Sequence, residues 1–129
     1  MIAASVRILY IEDTPDNQLL VKRILAAEGY QVLIANDGIQ GLAMAQRERP
    51  HLILMDINMP ELDGYSVTAQ IKADARLAHV PVIALTANVM KGDREKVLAA
   101  GCDGYIQKPI DVDQFPQQIA RYLPSTLEG

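Results

Sequence analysis

Five polar residues stand at points in this chain where an apolar run stops. Glu12 and Asp13 follow VRILYI, Asp56 follows LILM, Thr86 follows VIAL, and Lys108 follows YIQ. Ends of strands meet water and are usually polar, so any one of these carries little information. Three carboxylates gathered in one place are different, because like charges repel and something must neutralise them. Lys108 by itself is too little. The natural counter-ion is a hard divalent cation such as Mg²⁺, with Mn²⁺ as a substitute, which accepts carboxylate oxygens and leaves positions for phosphate oxygens. Zinc fits less well: His51 and His79 fall in loops before strands, at the opposite edge from the acids, and read as solvated loop residues. Beside such a cation a carboxylate can attack phosphorus to give an acyl phosphate, a transfer that depends on positioning and charge neutralisation. Asp56 would then be the nucleophile, Glu12 and Asp13 would hold the metal, and Lys108 would offset charge on the phosphoryl oxygens. Thr86 would donate its hydroxyl to one of them.

Positioning these groups requires a particular set of elements. Short apolar runs of strand length, at 6–11, 31–35, 52–55, 82–85 and 105–106, alternate with longer stretches of helical period. That alternation predicts βαβ units, a parallel sheet and an α/β domain of (βα)5 form. The first helix starts at TPDN, where Thr14 can cap, Pro15 suits the first helical position and Asp16 complements the dipole; Gly29 can end it in a left-handed conformation. Further helices are expected at about 38–48, 66–75, 91–100 (ended by Gly101) and 112–123. The last would carry Val112, Phe115, Ile119 and Tyr122 on one core-facing stripe, with Pro116 kinking or delaying its start. Right-handed crossovers make the strands parallel, so their carboxyl ends share the edge where open α/β sheets bind ligands. The five polar residues all fall on that edge.

Bulk properties narrow the function further. The 129 residues suit one domain, with its core at about 6–123 and a flexible tail at 124–129, and 50% hydrophobic against 22% charged residues is a globular balance. A net charge of −4 argues against a nucleic-acid surface. The single cysteine, Cys102, cannot form an internal disulfide and reads as a small buried hydrophobe. No apolar run approaches the roughly 20 residues of a membrane helix, and no signal peptide opens the chain, so no membrane association and a cytoplasmic location are expected. Met44, Met55, Met59 and Met90 read as packing residues.

Four stretches taken in order, YIEDT, LILMDINMPELDG, VIALTA and YIQKP, resemble the motifs of response-regulator receiver domains of the CheY type, and the resemblance runs from about Val6 to Leu123. It implies a doubly wound five-stranded parallel sheet in the order 2-1-3-4-5. It implies that Asp56 is phosphorylated, that Asp13 and Asp56 bind Mg²⁺ directly with the backbone carbonyl of Asn58, and that Glu12 acts largely through water. Thr86 and Tyr105 match the pair that reports phosphorylation. Lys108 would contact the phosphoryl oxygens and be joined to Pro109 by a cis bond, a geometry accessible mainly before proline. Gly64 would turn the chain into the third helix. The acidic pair is Glu-Asp where Asp-Asp is commoner, and Asn58 and Asn88 occupy positions that tune phosphoryl lifetime in the family.

The implied function is a phospho-acceptor switch in two-component signalling. A histidine kinase or histidine phosphotransfer protein would donate to Asp56, and a face made by the fourth helix, fifth strand and fifth helix would contact a downstream protein. The segment ANVMKGDREKVLAAGCDGYIQKPI is similar to single-domain cell-cycle regulators of the DivK kind and to receivers of hybrid kinases; with no output domain in the sequence, a stand-alone regulator is the expectation, and a receiver cut from a larger protein the alternative. It would not be a turnover enzyme. A phosphatase of the haloacid dehalogenase type carries D-x-D-x-T at its nucleophile, and Asn58 stands at the second position here. A flavodoxin-like carrier would need a neutral, hydroxyl-rich loop where EDTPDN stands, and no G-x-G-x-x-G offers a dinucleotide site.

Overall fold

The computed structural model describes residues 6–57, 64–87 and 91–123, with the side chains of 64, 65 and 91–94 set aside. Asn58, Met59, Asn88, Met90 and the tail 124–129 lie outside the described residues. Strands β1 (Arg7–Ile11), β2 (Gln31–Ala35), β3 (Leu52–Asp56), β4 (Val82–Thr86) and β5 (Gly104–Gln107) alternate with helices α1 (Pro15–Ala27), α2 (Gly38–Glu48), α3 (Gly64–Ala73), α4 (Lys91–Ala99) and α5 (Phe115–Tyr122). All strand pairs are parallel and the sheet order is β2-β1-β3-β4-β5.

Helices cover both faces of this sheet, which is why β3 and β4 are buried at every residue and read as unbroken apolar runs. Alternation along the strands sorts their side chains between two cores. Leu9, Ile11, Ile53, Met55, Val82 and Ala84 pack with Ala45 of α2, Val67 and Ile71 of α3, and Val97 of α4. Ile8, Tyr10, Leu52, Leu54, Ile83, Leu85 and Ile106 pack with Val21, Ile24 and Leu25 of α1 and with Phe115 and Ile119 of α5. Cys102 is buried beside Thr68, and burial pushes its thiol up.

Several expectations need correction. Thr14 takes the N-cap position of α1 without making the cap bond; its hydroxyl donates instead to Asp13 Oδ1 at 3.3 Å. Helix α3 begins two residues earlier than the apolar spacing suggests and ends at Ala73. Helix α5 begins at Phe115, not at 112, and Val112 is 57% exposed, off the stripe that buries Phe115 and Ile119. Asp111 explains this shift: its Oδ1 accepts the Asp113 and Gln114 N–H groups and its carbonyl accepts Phe115 N–H, so 112–114 form turns. Pro116 then sits in the first helical turn, where its missing N–H costs nothing. His51 is not a free loop residue, since its Nδ1 accepts the Arg7 N–H at 2.9 Å. His79 is exposed. Gly29 (φ 89°) and Gly101 (φ 105°) do end α1 and α4 in left-handed backbone.

Candidate functional site

Each strand that supplies a candidate residue ends on the same edge of the sheet, so residues distant in sequence become neighbours. Asp56 is the last residue of β3 and continues the alternation of Leu52 and Leu54, which places it toward the α1 and α5 face. Glu12, two residues after Tyr10, and Lys108, two after Ile106, continue the same face from β1 and β5. Carboxylate oxygens of Glu12, Asp13 and Asp56 all lie within 4.8 Å of one another. Lys108 Nζ is 2.9 Å from Asp56 Oδ1. The Lys108–Pro109 bond is cis. Thr86, 2% exposed, ends β4 and approaches the edge from the face of Ala84. Tyr105 is half-buried in β5, paired with Ala84 and packed against the α2–α4 core. Asn58 lies outside the described residues.

Glu12 is fully buried and Asp56 is 3% exposed, while Asp13 faces solvent. A buried carboxylate needs donors, and among the described residues Glu12 has four. Its Oε1 accepts the Tyr10 hydroxyl at 2.9 Å and Asn17 Nδ2 at 3.1 Å; its Oε2 accepts the N–H groups of Asp13 at 3.0 Å and Thr14 at 3.3 Å. Burial, reinforced by Asp56, pushes the Glu12 carboxyl above its ordinary value, while the Tyr10 and Thr14 donors pull it back. Burial and then Glu12 hold the Tyr10 phenol far above its usual range, so it stays a protonated donor. Gln18 Nε2 donates to the Glu12 carbonyl at 2.6 Å and to Asn36 Oδ1 at 2.8 Å, tying the loop after β1 to the loop after β2. Among the described residues no buried side-chain nitrogen or oxygen lacks a partner.

Over residues 8–120 the chain matches the model of the response regulator receiver domain. This chain belongs to that family. The receiver is 43% identical over 116 residues to the polar-differentiation response regulator DivK of Brucella anthropi, covering 90% of this chain and 94% of that one. Chemotaxis protein CheY4 of Vibrio cholerae superposes with a TM-score of 0.89 at 27% identity, over 93% of this chain and 100% of that one. The receiver domain of a sensor histidine kinase from Pseudomonas aeruginosa, solved with a magnesium ion coordinated in its active site cleft, is 43% identical with a TM-score of 0.84, over 92% and 98% of the two chains.

The donor set of this receiver suits a hard cation. Three carboxylates offer only oxygen, they cluster tightly enough to share one ion, and the exposed Asp13 leaves the cluster open to water. No helix among the described residues is long and apolar enough to cross a membrane. Sequence reasoning missed Tyr10, Asn17 and Gln18. A signal for Tyr10 was present, since a tyrosine two residues before a buried acid on one strand shares its face. Asn17 and Gln18 become partners of Glu12 only through the path of the chain into α1.

Proposed function

We propose that this receiver accepts a phosphoryl group on Asp56 from a phosphohistidine of a histidine kinase or histidine phosphotransfer protein, and thereby switches a protein-binding face. The observation that carries this reading is the carboxylate of Asp56 held in the acid cluster with Lys108 Nζ at 2.9 Å. An Asp56 oxygen attacks phosphorus, the P–N bond breaks, and the imidazole leaves with the bonding electrons. Glu12 and Asp13, with Asp56 itself and the backbone of Asn58, would hold Mg²⁺, which when bound neutralises charge on the phosphoryl oxygens. Lys108 holds Asp56 before transfer and turns to the new phosphoryl oxygens after it. Thr86 moves to donate its hydroxyl to one of those oxygens, and Tyr105 follows that movement; their lying on the same face of neighbouring strands supports this pairing. The readout face would be α4, β5 and α5. An apolar hollow of about 160 Å³, lined by Leu20, Pro109 and Ile110 with Tyr10, Asn17 and Lys108, lies beside the acceptor and gives a donor protein a foothold. The group is taken up once per chain, as in a cytoplasmic signalling protein and not a turnover enzyme.

Intact mass after incubation with acetyl phosphate, with and without Mg²⁺, tests this. Wild type should gain one phosphoryl group only with Mg²⁺, and Asp56→Asn should gain none because an amide is a poor nucleophile. Labelling of Asp56→Asn would sink the assignment, as would repeated hydrolysis of a phosphate ester. If no adduct accumulates, beryllofluoride separates rapid self-hydrolysis, which still needs Asp56 to bind it, from a site that takes no phosphoryl group.

A further inference from the structure

The acid pair here begins with a glutamate, one methylene longer than an aspartate, and that side chain is wholly buried at the rim of the cation site. A longer buried carboxylate keeps a single position only if its surroundings hold it. Two of its four donors are backbone amides of the loop it belongs to, available to any acid at this position. The other two are side chains from outside that loop: the Tyr10 hydroxyl rising from β1 beneath it, and Asn17 reaching down from α1. Both meet Oε1, from opposite elements, so that oxygen is gripped between sheet and helix while Oε2 is fixed by the loop. We infer that Tyr10 and Asn17 are positioning residues that set the cation affinity of the site through Glu12. Tyr10 is itself fully buried among the aliphatic side chains of β1, β3, α1 and α5, so its ring has little freedom to release the bond. Partners that orient a residue at a metal site typically change metal affinity 10- to 100-fold when removed.

This inference rests on the cation site of the proposed acceptor reading, and the test separates the two. Mg²⁺ affinity is measured by titration of the full chain, for wild type, Tyr10→Phe, Asn17→Ala, Glu12→Ala and the two double variants with Glu12→Ala. Tyr10→Phe keeps the buried ring and Asn17→Ala sits on a half-buried helix position, so one of the two reports even if the other folds poorly. Each single change should weaken Mg²⁺ binding by about 10-fold, and neither should weaken it further once Glu12 is alanine, because the effect passes through that carboxylate. Unchanged affinity in both single variants overturns the inference, and so does an equal loss in the Glu12→Ala background, which would mark a general structural effect. Wild type that binds no Mg²⁺ overturns the cation site itself, whereas wild type that binds and variants that match it overturn only the positioning role.

Discussion

His51 holds the entry to β3 through one hydrogen bond whose chemistry depends on pH. Its Nδ1 accepts the Arg7 N–H, which requires the neutral ring with its proton on Nε2. Burial, and then the nearby Arg7 charge, lower its pKa. A depressed histidine contributes stability that is fully present above its unfolded value of about 6.5 and is lost as pH falls through the lower folded value. Wild type should therefore lose up to about 1 kcal/mol from this bond as pH falls below about 6.5, and His51→Asn, whose side-chain oxygen can accept without titrating, should flatten that acid limb in urea melts. An acid limb of equal slope in both proteins would show the bond to be immaterial. Sequence reasoning placed His51 in its loop correctly, yet its role was hidden because the donor sits at the start of another strand.

At the scale of elements, α2 packs so closely on β1 that Gly41 has no room for a side chain; a Cβ there would run into Ile11. Alanine usually favours a helix over glycine by about 1 kcal/mol, but overpacking costs about 1–3 kcal/mol. Gly41→Ala should lower the melting temperature, and adding Ile11→Val, which removes the terminal methyl in the way, should recover part of the loss. No recovery would mean that the contact is not what costs the stability. Helix α5 offers a second test. A stripe that included Val112 would make it as costly to replace as Phe115. With α5 starting at Phe115, Phe115→Ala should cost about 3–5 kcal/mol and Val112→Ser about 0.5 kcal/mol or less, measured in urea. The existence of α5 was legible from its apolar period, but its first turn was not, because the competition was won by an Asp111 turn whose acceptors the period does not register.

For the whole molecule, folding itself assembles the acidic cluster proposed to hold the cation, because Glu12, Asp13 and Asp56 meet only when β1 and β3 lie side by side. An ion that binds the folded chain and not the unfolded one raises stability in proportion to the logarithm of its concentration above Kd. Mg²⁺ at about 100 times Kd should add about 2.7 kcal/mol, read as a rise in melting temperature that a chelator reverses. Asp13→Ala should blunt that rise and, with one of three mutually repelling charges gone, should raise the melting temperature of the metal-free protein. An identical Mg²⁺ response in Asp13→Ala would remove Asp13 from the site. The same linkage makes metal binding a readout of the fold and not of the three residues separately.

The alternation of strand-length and helix-length patterns already determined the element order, the parallel sheet and the edge on which Glu12, Asp13, Asp56, Thr86 and Lys108 would gather, because handed crossovers leave a parallel sheet little choice. Strand limits came within about two residues, since burial on both faces makes central strands apolar throughout and an abrupt polar residue marks their end. Only the tertiary structure decided which groups touch: Lys108 on Asp56, the Tyr10 hydroxyl and Asn17 on Glu12, Arg7 on His51, and the late start of α5. Periodicity records which way a side chain faces, whereas a hydrogen bond depends on ångström distances between atoms, and those are fixed only when the two cores close around the sheet.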